Sequence, residues 1–406
     1  MAEPHFGVRE VRIRGFRSAR SVQFAPGPVC ALVGGPSVGK SNVLEAVWLL
    51  LARGAPALRP GDASTGGART IELSATLDDG DEVSLRMRAQ GAATRSGREL
   101  PALFLPASLR SSTLVAGATV AGATAAGATS DACAARVARE YLQVGGSASS
   151  AALAEALVAA VERLCAAGER GLVLLIEEPE LFLRPQAQRY LYRRLRRFAE
   201  HGNQVLYSTH EPVFLNVGRL DELALVEHSP RTGTAVTQPH ALGSEESFRA
   251  LNELDAERGE LLLARAVLLV EGRTEKLTFP FVFGALGYDV DGEAITIVDC
   301  GGKPNMRLFI RICHAVGVPC VAVHDRDAPA GRRPSTAQQL VNEEIAKLAG
   351  VKRTVVLAPD FEAVAGLRGH RHKPTHAWRY FSGVAREDVP RPLAEAVEKA
   401  VRLARA

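Results

Sequence analysis

The chain has 406 residues, of which 47% are hydrophobic and 23% charged, with a formal net charge of +4. That length suggests two or three domains at about 100–200 residues each, and the near-neutral balance permits a nucleic-acid partner without arguing for one. The six cysteines form no C-x-x-C pair, so a zinc knuckle is excluded and buried, reduced thiols are expected; no apolar run reaches the ~20 residues of a bilayer span.

The opening Met1-Ala-Glu-Pro-His5 has neither the basic nor the apolar region of a signal peptide, so a cytoplasmic protein without a membrane partner is expected. Val8 to Phe16 alternates apolar and basic residues and predicts a half-exposed strand. Val29 to Val33 is an apolar run entering a glycine-rich turn, with a helix expected from Lys40 to about Leu51. Residues 69–89 alternate again and predict a hairpin turning at Asp78–Asp81, while 116–129 repeats Ala-Gly-Ala-Thr and reads as loosely packed low complexity. An alanine-rich helix is expected over 150–167, an apolar strand over 171–176, a basic helix over 186–200 and a strand over 204–208.

A polar shift across 229–262 places the domain boundary near residue 262, giving a first domain of 1–262 with a low-complexity insert at about 90–150, and a second of 263–406. Beyond it the pattern restarts. Strands are expected at 266–270, 294–298, 318–324 and 354–357, with helices at 274–286, 305–316 and 336–349 between them. Such alternation implies an α/β fold with a parallel, doubly wound sheet, whose ligands sit at the carboxyl ends of the strands.

Gly34-Gly35-Pro36-Ser37-Val38-Gly39-Lys40-Ser41 satisfies G-x-x-x-x-G-K-[ST] between a strand and a helix. Backbone N–H groups of such a loop face phosphates, Lys40 adds a cation near the β and γ phosphates, and the Ser41 hydroxyl can hold Mg²⁺; ATP is the expected ligand. Leu172–Ile176 delivers Glu177 and Glu178 at a strand end, one to hold Mg²⁺ and the next to polarise the attacking water, and His210 ends the following strand within reach of a γ phosphate. An apolar strand meeting two acids is often only a strand meeting a solvated turn; the order of these features after a phosphate loop is what favours function.

The second half carries Glu271 and Glu275 after its first strand, Asp325-Arg-Asp327 after its third, Asp360-Phe-Glu362 after its fourth, and Lys373 further on. Carboxylates gathered at neighbouring strand ends repel unless a cation neutralises them, and an all-oxygen donor set suits Mg²⁺ or Mn²⁺. Two such ions can drive phosphodiester cleavage, with a nearby lysine stabilising the transition state.

Several of these stretches resemble known families. Ile13-Arg-Gly-Phe-Arg17, Gly39-Lys-Ser-Asn42 with Leu44-Glu-Ala46, Ile176-Glu-Glu-Pro-Glu-Leu181 and Ser208-Thr-His210 resemble the ABC-type ATPases of the SMC and RecF kind, although the signature is at best degenerate in Val144-Gly-Gly-Ser147 and no glutamine loop is evident. Glu271 and Asp325/Asp327 resemble the Toprim pattern of topoisomerases, primases and some nucleases. An ABC-type P-loop ATPase domain followed by a Toprim domain resembles the OLD (overcoming lysogenization defect) endonucleases. That resemblance implies metal-dependent DNA cleavage, ATP-linked regulation, a homodimer or higher even oligomer made through the ATPase domains, and a role in phage defence or DNA repair. It also implies that Glu271, Glu275, Asp325, Asp327, Asp360 and Glu362 are metal ligands or bases and that Lys373 is the transition-state cation. The other open reading is an ATP-binding assembly switch with an inactive Toprim domain and a separate protein partner. A topoisomerase would need a tyrosine nucleophile from a further domain, and a primase a zinc-binding region.

Overall fold

The computed structural model describes residues 7–51, 61–64, 70–88, 93–107, 136–137, 140–141, 150–214, 219–240, 242–253, 256–328, 332, 334–367 and 373–406. The repeat at 116–129 and the signature stretch at 144–147 lie outside the described residues. The chain divides into two compact units, Met1–Pro239 and His240–Ala406. This division precedes the boundary expected near 262. The polar stretch after it folds as α-helices whose side chains bond within the second unit: Arg249 donates to Asn305 Oδ1 at 2.9 Å, and Glu246 pairs with Arg311.

In the first unit β1 (Val8–Phe16), β2 (Ala19–Phe24), β4 (Thr70–Leu77), β5 (Glu82–Arg88) and β6 (Thr94–Ser96) form one antiparallel sheet, in the order β2-β1-β4-β5-β6. The second sheet contains β3 (Val29–Val33), β7 (Ala102–Leu105), β8 (Val173–Glu177), β9 (Gln204–Thr209), β10 (Leu223–Ser229) and β11 (Gly233–Thr237), in the order β11-β10-β3-β9-β8-β7. It is parallel except for the closing β10–β11 hairpin. Helix α1 (Lys40–Leu51) touches strands of both sheets, which explains why eight of its residues are buried. Val43, Val47 and Leu50 join Ile13, Leu73, Leu85, Leu175 and Leu206 in one core. An alternating pattern suits β4, covered on one face, whereas β3 and β9 are buried along their whole length. Helices α2 (Ser150–Ala166) and α3 (Pro185–Glu200) pack on each other.

The second unit begins with α4 (Ser244–Glu253) and α5 (Ala256–Gly259). Its sheet comprises β12 (Ala266–Val270), β13 (Ile295–Asp299), β14 (Cys320–Asp325) and β15 (Thr354–Leu357), all parallel, in the order β13-β12-β14-β15. The intervening helices are α6 (Arg273–Ala285), α7 (Lys303–Ala315) and α8 (Thr336–Ala349); α9 (Phe361–Val364), α10 (Lys373–Phe381) and α11 (Arg391–Ala404) follow. Leu268, Val270, Val321 and Val323 share a core with Phe279 and Phe283 of α6 and Leu393 and Val397 of α11. Helix α7 contacts β12 and β14, α8 contacts β14 and β15, and α11 contacts β12, every residue of which is buried. No described helix is long and apolar enough to cross a membrane.

Candidate active sites

The first site lies in the turn between β3 and α1. Its glycines are dictated by space: a Cβ on Gly39, whose φ is +103°, would stand 2.2 Å from Thr234 Oγ1, and one on Gly34 2.2 Å from the Val226 carbonyl oxygen. Lys40 donates to the carbonyls of Gly34 and Gly35 in its own loop at 2.8 and 2.7 Å. Burial pulls its pKa down, opposed by the charges of Glu178 and Glu180. Ser41 is exposed, and Asn42 donates to Ser18 Oγ at 2.6 Å. Arg17, in the turn after β1, bonds Glu45 of α1 and Asp62 at once. Pro36, Ser37 and Val38 complete the loop, with Ser37 in the left-handed region at φ +61°.

Strand β8 is paired between β7 and β9 and carries the acids to this edge. Glu177 Oε2 accepts from the Ala107 N–H at 2.9 Å. Glu178 is held at φ +42°, a left-handed backbone that turns it out of the strand line, and its Oε1 lies 3.5 Å from Nδ1 of the half-exposed His210. Glu180, quoted in the motif but given no separate role from the sequence, proves the most enclosed acid of the turn at 4% exposure. It accepts from Thr209 Oγ1 at 2.7 Å and from the His210 N–H at 3.3 Å, linking the acidic turn to the end of β9; burial raises its pKa.

The second site sits at the carboxyl ends of the four parallel strands. Glu271 follows β12, and its Oε1 accepts from the Asp325 N–H at 2.6 Å, tying the ends of β12 and β14. Asp325 Oδ1 accepts from the Phe361 N–H at 2.7 Å, tying β14 to the segment after β15. Burial, reinforced by the charges of Glu271, Glu275 and Glu362, pushes the Asp325 carboxyl up to about 8. Glu275, on the first turn of α6 and buried, is pushed up to about 7 by burial and then by Glu271, Glu362 and Asp299. Glu271 is raised chiefly by burial. Asp327 stands at φ +59°.

One cation enters this cluster to which the sequence assigned no role, although Asp299-Cys-Gly-Gly-Lys303 is among the stretches that resemble the OLD family. Lys303, 7% exposed at the start of α7, pairs with Asp327 Oδ2, donates to the Asp325 carbonyl and lies 3.5 Å from Glu271 Oε1. Asp299, at the end of β13, accepts from the Gly301 N–H at 2.8 Å and also faces the acids. The pattern Asp299-Cys-Gly-Gly-Lys303 was the available signal, but nothing local pointed Lys303 toward Asp327. Asp360 has a structural task, its Oδ1 capping α9 through the Ala363 N–H at 2.7 Å, while Glu362 faces Asp325 and Glu275. The Lys373 side chain lies outside the described residues.

Among the described residues no three His, Cys, Asp or Glu side chains close into a metal cage. The donor chemistry nevertheless fits a hard divalent cation: the acids are all-oxygen, burial and then their neighbouring charges raise the pKa of two of them, and the Lys303 ammonium lies against Asp327 and Glu271.

Comparison with known proteins adds two family matches. Residues 262–327 match the TOPRIM domain of overcoming lysogenization defect protein-like proteins. Residues 147–216 match an AAA-domain model whose description names the AbiEii toxin and type IV toxin–antitoxin systems. The OLD nuclease of Thermus scotoductus is 34% identical over 58% of this chain and 49% of its own length, and the Old nuclease of Escherichia phage P2 is 27% identical over 38% and 28%. The chain thus spans about half the length, or less, of these relatives. The C-terminal region of the Burkholderia pseudomallei OLD protein overlays 36% of this chain and all of its own, at 17% identity and a TM-score of 0.30.

Proposed function

We propose that this chain, a relative of the OLD family through its Toprim domain and the AAA-type domain before it, is a DNA nuclease that depends on Mg²⁺ or Mn²⁺ and is regulated by ATP. The observation that carries the reading is the crowding of Glu271, Glu275, Asp325 and Asp327 at neighbouring parallel strand ends, with Lys303 among them. Glu271, Glu275, Asp325 and Asp327 would hold the divalent ions, with Glu362 beside them. Bound there, such ions supply charge stabilisation to a phosphodiester undergoing attack. Lys303, beside Asp327 and Glu271, would offer its ammonium to a phosphoryl oxygen. In the first unit, Lys40 would exchange its bonds to the Gly34 and Gly35 carbonyls for ATP phosphates, Ser41 and Glu177 would hold Mg²⁺, and Glu178 with His210 would orient water. Even-numbered assembly through the ATPase domains and a place in phage defence or DNA repair belong to the same proposal.

Supercoiled plasmid incubated with Mg²⁺ or Mn²⁺, with and without ATP, tests it. Nicked or linear product from the wild type and none from Asp325→Asn is expected. Equal cleavage by both removes the Toprim assignment. A second reading, the ATP-binding switch with an inactive Toprim domain, draws on the lysine lodged among the acids, and absence of wild-type cleavage with either metal favours it.

A further inference from the structure

Beside the acidic cluster, still within the second unit, is a cavity of about 890 Å³. Its wall is built by α5, α6 and α10 together with the end of β13, and it includes Arg258, Arg273, Lys276, Phe281, Asp299 and Trp378. The volume falls in the range of about 300–1,000 Å³ typical of small-ligand clefts. Trp378, 55% exposed, turns an open aromatic side chain onto this cavity. Arg258 is held in place by the Glu253 carbonyl at 2.7 Å and by the Phe309 ring, 5.6 Å from its centroid. Lys276 is bonded to Glu257 at 2.6 Å. Arg273 stands exposed on the first turn of α6, two residues after Glu271, and makes no ion pair among the described residues. Asp299 connects the cavity to the acids, since its charge acts on Glu275.

We infer that this cavity is a subsite for an unpaired nucleotide next to the cleaved phosphate, with Trp378 as the stacking platform for its base and Arg273 as the contact for its phosphate. The inference rests on the nuclease reading for its place in the reaction, but binding can be measured without cleavage. An aromatic face with basic side chains is what single strands recognise, because every base has a π-face and every link a charge. A base inside a duplex hides both of its faces, so it reaches Trp378 only when swung out of the stack. The cavity therefore selects strands that are single or locally opened at the cleavage point.

The test is fluorescence anisotropy of the full chain in EDTA, with labelled oligothymidine and a blunt duplex of equal length. Tighter binding of the single strand by wild type is expected. Trp378→Ala should weaken that binding about ten-fold or more, Trp378→Phe should retain most of it, and duplex binding should change little in either. Arg273→Gln should lower the salt slope of single-strand binding by about one contact. The chain has two tryptophans, so Trp48→Phe leaves Trp378 as the sole reporter, and its emission should be quenched by oligothymidine. No single-strand binding by wild type, or unchanged affinity in Trp378→Ala, overturns the subsite even if plasmid is cleaved. Trp378-dependent binding without any plasmid cleavage upholds the subsite and removes the nuclease reading instead.

Discussion

Replacing Asp325 by asparagine keeps the acceptor that receives the Phe361 N–H at 2.7 Å and deletes only the ionisation. The carboxyl has an ordinary pKa of 3.8 and is pushed up to about 8, first by burial and then by the neighbouring acids. Between those values the folded, metal-free protein binds more protons than the unfolded chain, so this group's contribution to stability is fully present below 3.8 and is lost as pH rises through about 8. Each pKa unit corresponds to about 1.4 kcal/mol. The full gap would amount to about 5–6 kcal/mol, and solvent screening at the open rim reduces it to about 2–3 kcal/mol. For a unit of this size that corresponds to a rise of about 5–10 °C in the melting temperature of Asp325→Asn over wild type at about pH 8 in EDTA. At about pH 5 the folded carboxyl is already protonated, and the gain should shrink to about 1 kcal/mol or less. Scanning calorimetry in chelator at both pH values checks this. A gain that does not depend on pH, or a loss at high pH, refutes the picture of acids held together against their own repulsion.

Asp327→Ala should behave oppositely, because it removes the nearer of the two carboxylates paired with the buried Lys303; a loss of about 1–2 kcal/mol in chelator is expected by thermal melting. Lys40→Ala should leave the fold intact and weaken ATP binding by ten-fold or more in calorimetry, since charge-assisted bonds to phosphate are worth about 1.5–3 kcal/mol each. Gly39→Ala should lower both nucleotide affinity and the first unit's melting temperature, because its Cβ meets Thr234 Oγ1 at 2.2 Å in a left-handed backbone; unchanged values would mean that the loop adopts another course. Light scattering with ATP should give an even-numbered assembly, and a monomer at micromolar concentration both with and without ATP counts against assembly through the ATPase domains.

Local pattern was sufficient for much of this protein. The apolar run before Gly34 and the helix-forming stretch after Lys40 place the phosphate loop without any knowledge of distant contacts, and α1 begins and ends where the sequence suggests. The hydrophobic runs of β12, β14 and β15 likewise end just before Glu271, at Asp325 and shortly before Asp360, so the carboxyl-end placement of the acids follows from chain order alone. Strands β7 and β11 were not legible: β7 falls within the stretch read as an insert at about 90–150, and β11 is a partly exposed edge strand that pairs with β10 alone in its sheet. The roles of individual site residues were harder still. Asp360 Oδ1 caps α9, a task the sequence did not suggest, and Glu180 is buried where it was read only as part of a motif. Lys303 reaches Asp327 across 24 residues only because the sheet order β13-β12-β14-β15 sets β12 between the strands that deliver them. Trp378 meets Arg273 and Asp299 around one cavity through the packing of α10 on α6. Periodicity reports which face of an element is buried, but which elements become neighbours is decided by the packing of the whole unit, and that packing chooses the charges that meet.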